Sequence, residues 1–478
     1  MQSRRDQVQA QSYVYSRLTS ALIAAEPEAA ENPSRRTVMG TIVGLVVAAL
    51  VVVGFTVFGF IVPGGSTTWR KPGVLIVEAE TGNRYVLIDD TLHPVLNYTS
   101  ALMLFEGTPQ VVRVSTRSLS GVAHGEPIGV PGAPDAIPDG SAIRGQVWTV
   151  CAVAMRDAAG TVLTATTLRI GRDQSGADET GDDRPSWSAI VPLEDNEALL
   201  VAGPDHRGYL VWQGHRHAIG APWVARALGF EGYGMPVERG WLEALPAGPD
   251  LAPARLPGRG EPGVPVAGAE TFVGQLFVSR SADVERYYVM QRDGLSPLNP
   301  VGYAIVAGDP ETLQAYGGGA VAPVALTPAA VAQAPLSLTT TFAAGLPASV
   351  PRPAAPPDGA TWCTEYTVDS GQLVVGAGVP ARPSSSVSYR PEVTLTDLTA
   401  AAIEVEAGVG ALIRGGWPGA EPGATQVLVT DAGVKYPLVN SAVAVMLGYA
   451  PTSAAVVPPP MLELLPTGPL LDPGRLGG

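Results

Sequence analysis

From Thr37 to Trp69 the chain carries no charged residue, and the run is closed by Arg36 on one side and Arg70 on the other. Its apolar core, Val38 to Val62, is 25 residues long, about 38 Å as a helix at roughly 1.5 Å per residue. A helix of that length crosses a bilayer with some tilt. A cleaved signal peptide is the competing reading, but its apolar region is about 7–15 residues and lies nearer the N-terminus. The expectation is a retained transmembrane helix over 37–63. Arg4, Arg5, Arg17, Arg35 and Arg36 all precede it, so the positive-inside rule keeps residues 1–36 in the cytoplasm and exports the rest. Arg70 and Lys71 on the other flank reduce this bias without reversing it.

The exported part holds 25 basic and 40 acidic residues, and the whole chain has a net charge of −14. Lysine occurs only at Lys71 and Lys435. Phosphate neutralisation needs clustered cations, so a general nucleic-acid binder is excluded. With 46% hydrophobic and 15% charged residues the chain is composed to fold. Its 56 glycines and 45 prolines predict frequent turns.

The exported part repeats itself. LHPVLNYTSALMLF (92–105) and KYPLVNSAVAVMLGY (435–449) write one phrase. Four segments follow the same plan of strand, tight turn, strand and short helix: 73–105, 208–230, 276–308 and 425–449. His93-Pro94-Val95, His217-Ala218-Ile219, Ser296-Pro297-Leu298 and Tyr436-Pro437-Leu438 align, and Asn97 is placed as a helix N-cap. Pro94, Asn97, Pro297, Pro437 and Asn440 are the repeat-motif and cap residues. LEALPAGPDLAP (242–253) is echoed by LELLPTGPLLDP (462–473), and VWTVCAV (147–153) by ATWCTEY (360–366). The offsets grow slowly, from 203 for Pro94 to Pro297 to 220 for Leu242 to Leu462, as an ancient duplication with small insertions would leave them.

The predicted organisation is therefore a cytoplasmic tail with an amphipathic helix (1–36), the span (37–63), repeat unit 1 (70–108) and the first half of a central β domain (109–205). Repeat unit 2 (206–248), a Pro/Gly-rich linker (249–270) and repeat unit 3 (271–310) follow. The second half of the central domain (311–422), repeat unit 4 (423–452) and a Pro-rich C-terminal segment (453–478) complete it. The fold class is α+β and β-rich: one N-terminal transmembrane helix, then an internally duplicated export domain with four ββα-like units around a central β domain and a pseudo-two-fold axis. Alternating runs at Gly160–Ile170 and Gly371–Val379 read as half-buried strands of that centre.

Two cysteines in an exported domain favour a disulfide. Equivalent residues of a duplicated structure meet only near its axis, so a Cys151–Cys363 bridge would pin the halves there. Two buried free thiols are the alternative. A metal site from two cysteines is set aside.

Signatures of catalysis are missing. GxxxxGK[ST], HExxH and GxSxG do not occur. His215 and His217, with His206 nearby, suggest a metal cluster, but His217 fills the slot of Tyr436 and reads as a strand histidine at a turn. Asp89-Asp90 and Asp182-Asp183 are paired carboxylates, of which Asp182-Asp183 lies in a polar, Gly-containing stretch and reads as a solvated loop, and His93 shows no partner in the sequence. No catalytic, cofactor-binding or metal-binding residue and no cofactor are expected, and nucleotide hydrolysis is disfavoured. In the tail, Val14, Leu18, Ala21, Leu22 and Ala25 fall at helical spacing before Pro27, which suits a docking helix or a helix on the membrane surface.

The series SRRDQVQAQSYVYSRLTSALI, NPSRR, one span, TGNRYVLIDDTLHPVLNYTSALML, IGVPGAPDAIP (128–138) and LLPTGPLLDP covers essentially the whole chain and resembles the EccB family. These are membrane core components of actinobacterial type VII (ESX) secretion systems. The resemblance implies an inner-membrane protein with a cytoplasmic N-terminus and a large periplasmic domain of four repeats around a central β domain carrying the disulfide. The partners it implies are an EccC-like ATPase, EccD-like and EccE-like membrane subunits, other copies of the chain and a mycosin protease. Ala218, where other units have Pro, and Trp362, adjacent to its cysteine, are mild departures. A peptidoglycan-binding anchor and an unconventional nucleotide hydrolase are the rival readings.

Overall fold

The computed structural model describes residues 4–24, 34–61, 67–139, 146–156, 162–172, 190–342, 345–380, 391–450 and 454–477. It divides into two compact units, 1–92 with 111–124, and 93–110 with 125–478.

The first unit opens with two helices, α1 (Arg4–Ala24) and α2 (Ser34–Ile61). Among the described residues α2 is the one helix long and apolar enough to cross a membrane. Its apolar side chains, Leu45, Leu50 and Phe55 among them, are exposed all round, the pattern of a helix solvated by lipid. Thr41 and Thr56 donate their hydroxyls to the carbonyls of Thr37 and Val52, both at 2.8 Å, so neither leaves a bare polar group in the apolar run.

A five-stranded sheet follows, from β1 (Val74–Glu78), β2 (Arg84–Ile88), β3 (Thr91–Pro94), β4 (Gln110–Val114) and β5 (Ala123–His124), in the order β4-β1-β2-β3-β5. Gly82 takes φ +78° in the β1–β2 turn, a backbone state open to glycine at little cost. Thr81 donates its hydroxyl to the Glu78 carboxylate, which closes the turn. Trp69, Ile76, Tyr85, Leu92, Val114 and Leu119 form the core of this unit.

The second unit contains three further sheets of one order. They are β11-β10-β9-β12, β15-β14-β13-β16 and β23-β22-β21-β24. The strands of the first are β9 (Glu197–Ala202), β10 (Gly208–Trp212), β11 (His215–Ala218) and β12 (Met235–Pro236). Those of the next are β13 (Leu276–Ser281), β14 (Val284–Gln291), β15 (Gly294–Leu298) and β16 (Val324–Leu326). Those of the last are β21 (Ala411–Gly415), β22 (Gln426–Val429), β23 (Lys435–Pro437) and β24 (Ala455–Val457). Three antiparallel strands are followed by a short helix, α5 (Pro222–Ala227), α7 (Pro300–Gly308) or α9 (Ser441–Met446). A fourth strand then runs parallel to the first, and a second short helix ends the unit: α6 (Arg239–Glu243), α8 (Pro328–Gln333) or α10 (Pro459–Glu463). The sheet of the first unit has the same third-second-first-fourth order with β5 added. In sequence it carries α3 (Tyr98–Leu104) and α4 (Thr116–Leu119) at the corresponding places.

Each phrase read from the sequence is thus part of a longer βββαβα element. β9 and β21 precede 206 and 423, while β4, β16 and β24 follow 108, 310 and 452. The early strands, EALLVA and ALIRG, are short apolar runs without alternation, and the late ones have two to five residues. Neither leaves a period-2 signal. The Pro/Gly-rich stretch 249–270 is packed rather than loose. Leu251 and Val266 are buried, and the Arg259 guanidinium reaches the Asp309 carboxylate at 2.6 Å with both side chains buried.

The centre is a six-stranded sheet in the order β20-β7-β6-β18-β19-β8, from β6 (Gln146–Arg156), β7 (Val162–Arg172), β8 (Val191–Pro192), β18 (Thr361–Thr367), β19 (Gln372–Gly378) and β20 (Ala402–Val405). Two hairpins, β6–β7 and β18–β19, join through antiparallel β6 and β18. The edges are exchanged: β8 lies on β19 of the other hairpin, and β20 on β7. Trp148, Trp241, Trp362 and Tyr366 anchor the largest hydrophobic cluster around this sheet.

Candidate functional site

Cys151 and Cys363 are joined by a disulfide across 212 residues. They face each other directly in the β6–β18 ladder. Both are buried, against Ile190. Helices α6 and α10 meet in the same region, and Leu242, Leu245, Leu462 and Leu465 enter the central cluster. Two further helix pairs touch, α3 with α9 and α5 with α7.

The residue ahead of each helix locks its unit. The Asn97 side chain accepts from the Ser100 N–H at 2.9 Å and donates Nδ2 to the Val130 carbonyl at 2.9 Å. Asn299, which the sequence reading passed over, accepts from the Gly302 N–H at 2.8 Å and donates to the Pro347 carbonyl at 2.8 Å. Its signal was the Asn-Pro that opens α7. Asn440 accepts from the Ala442 and Val443 N–H groups at 2.9 and 3.3 Å. In the second unit the cap position is Ala221, with no side-chain bond. Pro94, Pro297 and Pro437 stand in the third strands of their sheets, β3, β15 and β23. Beside them a downstream segment covers the strand through bridges Val95–Ile128, Arg216–Ala247, Leu295–Leu336 and Lys435–Thr467.

The histidines serve that cover. The Nδ1 of His93, which the sequence left without a partner, donates to the Glu126 carbonyl at 2.9 Å, and the Nδ1 of His217 to the Pro249 carbonyl at 2.9 Å. Such bonds require Nδ1–H tautomers. Ser296 does the same with the Thr339 carbonyl at 3.3 Å. His217 is buried, and burial holds its pKa below the usual imidazole value. No group of three or more metal-ligating side chains occurs among the described residues. Asp89 and Asp90 form an exposed left-handed turn, and Asp182-Asp183 lies outside the described residues. The arrangement holds segments together.

The family described as "Type VII secretion system ESX-1, transport TM domain B" matches residues 1–475. This chain belongs to the EccB family. It is 28% identical to the ESX-3 secretion system ATPase EccB3 of Mycolicibacterium smegmatis over 98% of this chain and 89% of that one. It is 25% identical to the ESX-1 secretion system ATPase EccB1 of the same species, over 98% and 93%. The EccB3 dimer from the ESX-3 core complex superposes with TM-score 0.62 at 26% identity, covering 84% of this chain and 99% of that one. A chain of the intact ESX-5 inner-membrane complex shares the fold, with TM-score 0.61 at 21% identity over 100% and 95%.

Both lysines of this EccB chain can be placed. Lys71 is exposed outside the first sheet. Lys435 is buried, donating Nζ to the Leu462 carbonyl at 2.8 Å and pairing with Glu463 at 3.1 Å. Tyr449, its pKa raised by burial, donates to the Pro138 carbonyl at 2.6 Å. In the EccB tail, α1 exposes Val14, Leu18 and Leu22 along one side, while Ala25 and Pro27 lie outside the described residues.

Proposed function

We propose that this EccB chain is a non-catalytic assembly subunit of an ESX-type inner-membrane complex. α2 anchors it with residues 1–36 in the cytoplasm. The domain after the span works in the periplasm, contacting other copies and neighbouring core subunits of EccC, EccD and EccE type, with a mycosin protease nearby. α1, with its apolar side chains unpartnered, docks against the cytoplasmic or membrane-embedded machinery. The observation that carries this reading is the match over nearly the whole chain to proteins of ESX inner-membrane assemblies, on a chain with one helix among the described residues long and apolar enough to cross a membrane. The shared sheet order, the self-paired cysteines and the exchanged edge strands support an internal duplication about a pseudo-two-fold axis.

The relatives' names include the word ATPase. Against nucleotide hydrolysis by this chain stands the fate of its lysines. Lys435 is spent on a carbonyl and a carboxylate inside the fold, and Lys71 sits beside no glycine-rich phosphate loop. The energy for transport then comes from an ATPase partner.

The test is the native mass and subunit composition of the tagged chain extracted in mild detergent. A megadalton-scale assembly with an FtsK-like ATPase and a polytopic membrane protein is expected. A lone monomer or dimer, under conditions that keep other membrane complexes intact, would overturn the assembly role. ATP turnover that follows the purified chain through size exclusion would overturn the non-catalytic one.

A further inference from the structure

The second repeat unit holds a cavity of about 580 Å³, within the range of sites that take ligands. Leu200, Ile219, Pro222 and Ala225 form an apolar wall. Arg207 and Arg226 also line it, with His206 and Tyr233. Both arginines are exposed, and neither has an acidic side chain at ion-pair distance among the described residues. The neighbouring Asp205 carboxylate accepts from the Arg207 backbone N–H and the Tyr209 hydroxyl, both at 3.1 Å. Tyr233 is 97% exposed, between Gly232 and Gly234 at φ +83° and +77°.

Two features set this cavity apart. First, Arg207 and Arg226 line one cavity with no carboxylate at ion-pair distance among the described residues, in an exported part that has 40 acidic residues to 25 basic ones. Two guanidiniums without a counter-ion at one cavity are therefore a local excess of positive charge. Second, the strand register that carries Leu210 to Leu428 carries Arg207 to Thr425, and the offset that carries His217 to Tyr436 carries Arg226 to Val445. The fourth unit has the same backbone order without the cations, so repeat architecture does not require them.

We propose that this cavity docks a short acidic segment of another polypeptide. Carboxylates would engage the two guanidinium forks, an adjacent apolar side chain would enter against Leu200 and Ile219, and Tyr233 would cover it. Arginine suits bidentate carboxylate recognition, and the apolar wall gives a reason for a side chain rather than a bare ion. The proposal rests on the assembly role above, in which neighbouring polypeptides are present.

The experiment uses the full chain in detergent and fluorescein-labelled Gly-Glu-Leu-Glu-Gly, read by anisotropy. Binding is expected, weaker by about ten-fold or more in the R207A/R226A double variant, since each lost charge-assisted bond is costly, and about three-fold weaker in Y233A. Native mass should stay unchanged in both variants. Four outcomes overturn the proposal: no binding, equal binding of the lysine-for-glutamate peptide, full affinity in the double variant, or displacement by inorganic phosphate at low millimolar concentration. Loss of self-association in R207A/R226A would also overturn it, by assigning the cavity to a second copy. A chain that binds the peptide yet purifies as a lone monomer would refute the assembly role and leave the cavity's specificity standing.

Discussion

The six-stranded sheet and the four smaller sheets are built on opposite logics. Each of the four smaller sheets takes its first three strands from one short stretch of chain, closed by tight turns. The six-stranded sheet takes its two innermost strands from positions 212 residues apart and exchanges its edges between hairpins. Local closure costs little loop entropy, while distant pairing requires a large closure before any contact forms. The molecule supplies a covalent crosslink at the place where closure is most expensive.

Removing that crosslink should separate the two regions most sharply. Cys151→Ala with Cys363→Ala deletes a constraint that chain-entropy estimates put at about 5 kcal/mol for a loop of this length. Hydrogen exchange should show protection falling first in β6, β7, β18 and β19, with β13–β15 and β21–β23 retained. Uniform loss across all sheets would mean that the six-stranded sheet and the smaller ones are a single cooperative block.

A smaller effect should separate two of the βββαβα elements from each other. Asn97 is buried and makes both a cap and a bond to the Val130 carbonyl, whereas Asn440 is exposed and caps only. Asn97→Ala should cost about 2–3 kcal/mol, since it also removes the bonds that Asn97 makes to the Val130 carbonyl and the buried Ser100 hydroxyl. Asn440→Ala should cost about 1 kcal/mol. Denaturant unfolding of the two variants checks this, and equal losses would remove the distinction.

The least of the three concerns pH. Burial depresses the His217 pKa in the folded chain, so the folded state favours the neutral ring. Its contribution to stability is complete above the ordinary imidazole value and is lost as pH falls from there towards the folded value. His217→Tyr, the residue of the fourth unit, should flatten the acid side of the thermal-stability profile between about pH 7 and 5. An unchanged slope would place the acid sensitivity elsewhere.

The long apolar helix, the disulfide and the caps at Asn97 and Asn440 were legible in the residues, because each has a local signal, whereas the cap Asn299 was passed over. Thirty-three uncharged positions read as a membrane span, an asparagine before a short helix reads as its cap, and two cysteines in matching phrases read as a pair. Other features were hidden. The short strands of the smaller sheets carry no periodicity, and the proline- and glycine-rich stretch around Arg259 looked free because nothing near it in sequence announces Asp309 as its partner. The carbonyl that receives His93 lies 33 residues on. Exchange of β8 and β20 between hairpins, and the meeting of Arg207 with Arg226 around one cavity, depend on backbone paths that bring distant residues together. Sequence by itself marked the one long apolar helix and the local turns, caps and strands. Which segment covers which edge was decided only by the tertiary structure, because hydrogen-bond partners and charge neighbours are chosen in space after the local elements have formed.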